Sequence, residues 1–451
     1  MTTISRQGST RMWILATIVI IAVAASLLTA CSSYGHRQWQ RDIPSIPAEP
    51  VTMRFVEFDD EGWLWKPKIA DETVELIKQS ASNKNTVVVT FIHGWHHSAQ
   101  TGDTNLQDFR RTLNLIHERI TAPQHREFVE KSTTTRKAAG TDLKVIGIYV
   151  GWRGRSLPWL LDYGTFWGRK SAAERVGATD FREFLQRLQK VYLAYHPEKH
   201  PINAQQQQAA PENFLGMVTI GHSFGAQVLI RSVSSQLESQ LVSLCDQSGY
   251  LRGSHPAEPN SDPVELDGIG DLIILVNPAT EASQYQRLHV LSQSLNYRPT
   301  QTPVILTVSA KTDYPRHRLF AFGRVLGEIF TGKPRKSDSV ERVVERQALG
   351  VFADHITHEL TTTGGSDSLT SQDSRQNRDK VAAYDFSHAT FSGVSLQQRA
   401  GAKAIRYQPL IVAEASDDII KGHNGIFTEP FINFLVPYVT FVETKTYFNL
   451  P

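Results

Sequence analysis

Apolar positions along the chain fall into short β-branched runs that alternate with helical stripes. Val87, Val88, Val89, Thr90, Phe91 and Ile92 form a run with little polar alternation, as expected of a strand covered on both faces. Leu106, Phe109, Leu113, Ile116 and Ile120 recur at spacings of three and four, which predicts a helix with one buried stripe. Residues 143–150 read as the next strand, ending in Gly151-Trp152-Arg153-Gly154. Phe184, Leu185, Leu188 and Val191 predict a second amphipathic helix, with Asp180 and Glu183 spaced to cap its start. Met217, Val218, Thr219 and Ile220 predict a strand that runs into Gly221, and Ala226, Leu229, Val233 and Leu237 mark the helix that follows. Further strand-like runs lie at 272–276, 304–308 and 407–414, and 430–436 reads as a closing helix with Pro430 in its first turn. This alternation predicts an α/β fold, a mostly parallel open sheet with helices on both faces.

Other stretches are less regular. Residues 51–65 suggest a hairpin around Asp59-Asp60-Glu61-Gly62, and 72–79 a brief helix. Leu157, Trp159, Leu160, Leu161, Tyr163, Phe166 and Trp167 crowd into 155–178, a segment expected to be core, or else an acyl pocket or lid beside a binding cleft. Polar segments near 246–268, 331–346 and 361–380 read as surface insertions, and the proline-spaced residues up to Pro50 as a tether. The expected organisation is a signal or membrane anchor at 1–30, a tether at 31–50 and one α/β domain at 51–451.

Charge changes the picture little. Lys and Arg total 47 against 45 Asp and Glu, a net +2, so no nucleic-acid partner is expected. The first thirty residues matter more: Arg6 and Arg11 precede an uncharged apolar run that ends in Leu28-Thr29-Ala30-Cys31. This stretch resembles a bacterial lipoprotein signal. The resemblance implies removal of residues 1–30, lipid on Cys31 and, with Ser32 beside it, attachment to the outer membrane on the exported, periplasmic side. The alternative is an uncleaved anchor, since a helix of this length just crosses a bilayer core of roughly 30 Å. Cys245 is the second of two cysteines, so a lipidated Cys31 leaves no intrachain disulfide.

The sharpest chemical signal is Gly221-His222-Ser223-Phe224-Gly225 between a strand and a helix. A serine on so tight a turn leaves no room for side chains beside it, hence the glycines, and the helix aims its free N–H groups at the reacting atoms. Together with Phe91-Ile92-His93-Gly94-Trp95 after an earlier strand, this resembles the α/β-hydrolase superfamily over roughly residues 85–445, and is most similar to bacterial serine esterase and lipase-like proteins. The resemblance implies that Ser223 is a nucleophile and that the backbone N–H groups of Phe224 and Trp95 hold the oxyanion. It also implies the chain order serine, acid, histidine. Asp313, in Ser309-Ala310-Lys311-Thr312-Asp313 after a late strand, takes the acid role, with Asp271, Asp354, Asp385, Asp417 and Asp418 as rivals. His423, in Gly422-His423-Asn424-Gly425 between the last strand and the closing helix, takes the base role, with His388 as competitor. His93, His96 and His97 could in principle ligate zinc, but no accompanying acids and histidines follow at close spacing. No metal or cofactor is expected; His93 is expected to shape the oxyanion loop, and His96 and His97 to line the cleft or face solvent.

The expected activity is hydrolysis of a carboxylic ester through a serine acyl-enzyme, with acyl transfer to an alcohol as a variant. The non-enzymatic alternative is a membrane-tethered interaction or scaffold protein that keeps the fold. The amino-terminal reading is checked by intact mass: membrane-extracted protein should lack residues 1–30 and carry lipid on Cys31, and an unmodified Cys31 overturns it.

Overall fold

A computed structural model describes Thr17 and residues 45–48, 51–122, 143–155, 165–196, 213–248, 262–312, 339–363 and 385–448. Eleven strands form one mixed sheet: β1 (Ser45–Ala48), β2 (Val51–Glu57), β3 (Asn85–Ile92), β4 (Leu143–Gly151), β5 (Leu215–His222), β6 (Leu272–Val276), β7 (Ile305–Ala310), β8 (His358–Thr362), β9 (Ala389–Phe391), β10 (Val394–Gln398) and β11 (Leu410–Ala415). Their order across the sheet is β1-β2-β4-β3-β5-β6-β7-β11-β8-β10-β9. The run from β2 to β8 is parallel throughout, and antiparallel strands flank it at both ends.

The helices are α1 (Pro67–Asn83), α2 (Thr104–Thr121), α3 (Phe166–Ala178), α4 (Asp180–Tyr195), α5 (Phe224–Gln247), α6 (Ser283–Ser292), α7 (Ser339–Arg346) and α8 (Glu429–Phe448). Every residue of β3 is buried. Val88 and Ile92 enter the core shared with α1, α3, α4, α5 and α6, whereas Val87, Val89 and Phe91 enter the one shared with α2 and α8. This two-residue alternation, covered on both sides, is why the strand reads as a continuous apolar run. The stripe expected on α2 is buried in full.

Several expectations give way to tertiary contacts. Ser45–Ala48, within the expected tether, pairs with β2, with Pro47 opposite Thr52; an edge strand tolerates a residue without an N–H. Residues 51–57 join β4 in parallel rather than forming a hairpin, which shrinks to an isolated bridge between Phe58 and Leu64. Helix α1 is far longer than 72–79 because its buried stripe includes Ala70, Thr73 and Ala81, residues too weakly apolar to stand out. Asp180 makes no capping bond: its carboxylate accepts the N–H of Leu64 instead, at 2.8 Å. Of the expected insertions, 249–261, 331–338 and 364–380 lie outside the described residues, while 339–346 is α7 and 358–362 is β8.

Helix α8 runs past the expected end at 436 and through Pro437. Proline there deprives the Asn433 carbonyl of its helical donor. The Ser392 hydroxyl, from the β9–β10 turn, donates to that carbonyl at 3.2 Å. Among the described residues no helix is long and apolar enough to cross a membrane, and Cys31 lies outside them.

At the far end of the sheet, α8 buries Glu443 beside Gly216, and its Oε1 has no hydrogen-bond partner among the described residues. Burial, then the nearby Asp271 charge, push its carboxyl well above the ordinary value. The unfolded chain releases this proton in the ordinary carboxylate range and the folded chain keeps it. The stabilisation is therefore complete below that range and is lost as pH rises toward the folded-state value. Thermal melts of Glu443→Gln against the parent should show a Tm difference that shifts in the variant's favour as pH rises from 4 to 7. A difference constant over that range overturns the assignment.

Candidate functional site

Strand β5 delivers its chain end to Ser223, which caps α5 with φ 56° and ψ −117°. Such a left-handed backbone costs a non-glycine residue about 1–3 kcal/mol unless its surroundings fix it. Here they do. The Ser223 N–H donates to Val276 O at 3.0 Å, and the Ser223 carbonyl accepts from Ala226, Gln227 and Ala279 at 3.1, 3.3 and 3.1 Å. Glycines make room on each side: a Cβ on Gly221 would lie 2.7 Å from Gly225 O, and one on Gly225 would lie 2.1 Å from Ile92 O. Gly94, in the loop after β3, comes so near that a Cβ there would stand 2.7 Å from Ser223 Cβ.

Opposite this turn, the loop between β11 and α8 presents His423, whose Nε2 lies 2.7 Å from Ser223 Oγ. For the hydroxyl to donate to Nε2, the imidazole must carry its proton on Nδ1. The loop is drawn tight by a bridge between Lys421 and Gly425, and Gly422 supplies a φ of 65°. The carbonyl of His423 accepts from His222 Nε2 at 3.0 Å and from Asn277 Nδ2 at 2.7 Å. A hydroxyl held on an imidazole in this way can pass its proton to Nε2 as it attacks an electrophile.

The loop after β3 is organised by its histidines. His93 is fully buried; its Nε2 accepts the Trp152 N–H at 3.1 Å and its Nδ1 donates to Gly94 O at 2.9 Å. Burial lowers its pKa to about 4, so the ring is neutral at ordinary pH. Trp152 returns its indole N–H to His93 O at 2.9 Å, which ties the loops after β3 and β4 together. His93 thus shapes the loop after β3. His97 is bonded to Asp103 at 3.0 Å, and Asp103 also takes the N–H groups of Ser98 and Asn105, capping α2. His96 stacks on Trp95 with ring centroids 3.9 Å apart. Among the described residues no group of three or more side chains converges as metal ligands.

Phe224 is the first residue of α5, where a helix leaves N–H groups without intrahelical acceptors. Its ring meets Phe166 at 4.9 Å and Trp95 at 6.4 Å, and Phe166 lies edge-on to Trp95 at 5.3 Å. Phe166, the last part of the aromatic segment to be described along with Trp167, is half-buried; residues 156–164 lie outside the described chain. Helix α3 is fixed over this cluster by two buried ion pairs. Arg169 grips Asp60 with two 2.7 Å bonds, and Lys170 meets Glu281 at 3.0 Å. Burial alone would raise the Asp60 carboxyl, but hydrogen bonds and charge from Arg169 and Arg153 hold it below the usual range.

Asp313 lies outside the described residues, which reach Thr312; the Thr312 hydroxyl donates to Asp417 at 2.7 Å, in the same loop as His423. Of the rivals, Asp417 and Asp418 lie exposed in the His423 loop, bonded to Thr312 and Thr362, and the others lie elsewhere. Asp271 stands at the opposite end of β6 and accepts from Tyr192 and Met217. Asp385 holds Ser387 and the Tyr407 N–H, His388 belongs to that same turn, and Asp354 and Asp418 face solvent. Sequence reasoning missed Asn277 and Asp60. An asparagine followed by proline directly after a strand was the available sign for Asn277, while nothing local marked Asp60 as a buried ion-pair centre.

Because a Cβ on Gly225 meets backbone rather than a yielding side chain, Gly225→Ala should lower unfolding stability by about 1–3 kcal/mol or more in urea titrations. An unchanged midpoint overturns the close crossing of the β3 loop and α5. No known protein family, curated protein or solved structure matches this chain.

Proposed function

We propose that the protein is a serine hydrolase that cleaves a carboxylic ester through an acyl-enzyme. The observation that carries this reading is the 2.7 Å contact between Ser223 Oγ and His423 Nε2, made from a left-handed turn that a strand and a helix hold in place. His423 takes the Ser223 proton as Oγ attacks the ester carbonyl, then returns it to the departing alcohol; water repeats the cycle on the acyl-enzyme. The N–H groups of Phe224 and Trp95 stabilise the tetrahedral oxyanion. The approach of Gly94 to Ser223 supports this role for the β3 loop. Asp313 fixes the His423 tautomer, a role supported by the bond from the preceding Thr312 to the histidine's loop.

The half-buried rings of Trp95 and Phe166, packed on Phe224 next to the serine in the chain, support an apolar acyl group. In this reading the domain works beside a membrane to which the lipid on Cys31 attaches it. A fluorophosphonate probe and a short-chain nitrophenyl ester test the chemistry on the full chain. Wild type should label and turn over, Ser223→Ala should do neither, and His423→Ala and Asp313→Asn should each lose at least ~100-fold in kcat/KM while remaining folded. Folded wild type that neither labels nor turns over would overturn the hydrolase reading in favour of the scaffold alternative, and a His423→Ala variant at near-normal rate would remove the base.

A further inference from the structure

The chain leaving β6 touches both the serine turn and the histidine loop. Val276 O receives the Ser223 N–H, and Ala279 returns an N–H to the Ser223 carbonyl. Between them Asn277 is fully buried, with φ 45°, a left-handed conformation that asparagine tolerates better than most residues. Its backbone N–H donates to Val308 O at 2.9 Å, which binds this turn to β7.

The Asn277 carboxamide is used in full. Oδ1 accepts the N–H of Ala310, the last residue of β7, at 2.8 Å. Nδ2 donates to His423 O at 2.7 Å and to Gly422 O at 3.1 Å. The partners dictate the orientation, since only the amino group can face two carbonyls and only the oxygen can face an N–H. His222 adds a second donor to the same His423 carbonyl, which requires its proton on Nε2. Two side chains from adjacent strands therefore converge on one backbone oxygen of the loop that carries the imidazole. The His222 ring also packs against the His423 imidazole, with centroids 5.2 Å apart.

Resting on the serine-hydrolase reading, we infer that Asn277, assisted by His222, is a positioning residue: it clamps the His423 backbone carbonyl and so keeps the imidazole within hydrogen-bond reach of Ser223 Oγ. Ile420 and Ile426 anchor the loop in the core on either side, whereas residues 422–425 between them are half-buried or exposed. Polar clamping from the sheet holds this tip, and a displacement of about 1 Å in a reacting group can cost ~100-fold in rate.

Two variants separate this role from ordinary packing. Asn277→Gly removes the carboxamide yet accommodates the positive φ. Asn277→Asp keeps the shape and the acceptor for Ala310 but turns a lone-pair-bearing oxygen toward two carbonyls. Both should lower kcat roughly 10- to 100-fold with KM within about twofold of wild type. The rate of Asn277→Asp relative to wild type should rise as pH falls, because a protonated carboxyl can donate again, whereas that of Asn277→Gly should not. The near-isosteric aspartate variant carries the test should the glycine variant fail to fold. Turnover within twofold of wild type in both folded variants, or an equal and pH-independent loss in both, overturns the inference. Where Ser223→Ala is inactive, such a result sinks this inference alone; a wild type without Ser223-dependent turnover sinks the hydrolase reading and this clamp with it.

Discussion

The left-handed turn at Ser223 is the constraint on which the rest of the site depends. A single residue must end a buried parallel strand, start a helix and leave its hydroxyl accessible to a partner 200 positions further along the chain. Three glycines make that possible, because Gly94, Gly221 and Gly225 sit where any Cβ would strike backbone or Ser223 itself. The strain, about 1–3 kcal/mol, is offset by hydrogen bonds of roughly 1 kcal/mol each to both backbone groups of Ser223. Two of those bonds, with Val276 and Ala279, come from the exit of β6, so the turn and its neighbouring strand hold one another.

The sheet supplies the rigidity this arrangement needs. The serine, the β3 loop, the β6 exit and the histidine loop all lie at the carboxyl ends of parallel strands buried between two helix layers, where open α/β sheets place their ligands. The loops at this edge are fastened by polar side chains as well as by apolar packing. His93 and Trp152 exchange two bonds, Asp103 gathers His97, Ser98 and Asn105, and Asp60 joins Arg153 to Arg169. Breaking one partner from a buried pair such as Asp60 and Arg169 would leave an uncompensated charge, at a cost of about 3–5 kcal/mol.

Electrostatics divide these groups by task. His93 is kept neutral by burial and serves as a fixed donor and acceptor between loops. Asp103, by contrast, is held below the usual carboxylate range: burial works to raise it, but the hydrogen bond from His97, further favourable electrostatics and the Ser98 N–H together outweigh this, so it remains a charged cap for α2. The charges of Asp103 and Asp60 at this rim therefore serve structure.

The sequence by itself determined the layers and the turn. Runs such as 87–92 and stripes such as Leu106 to Ile120 record which apolar side chains are buried, and that record is local, so periodicity reads it directly. The glycines around Ser223 and His423 were equally legible, since tight turns impose their demands on adjacent residues. Tertiary structure alone decided the rest. Helix α8 continues through Pro437 because Ser392 takes up the freed carbonyl, β1 forms because β2 offers it an edge, and Asp180 serves Leu64 instead of its own helix. Asn277 reaches a carbonyl 146 positions away. Hydrogen-bond partners of polar side chains are set by which strands become neighbours, and chain-local pattern holds no trace of that choice.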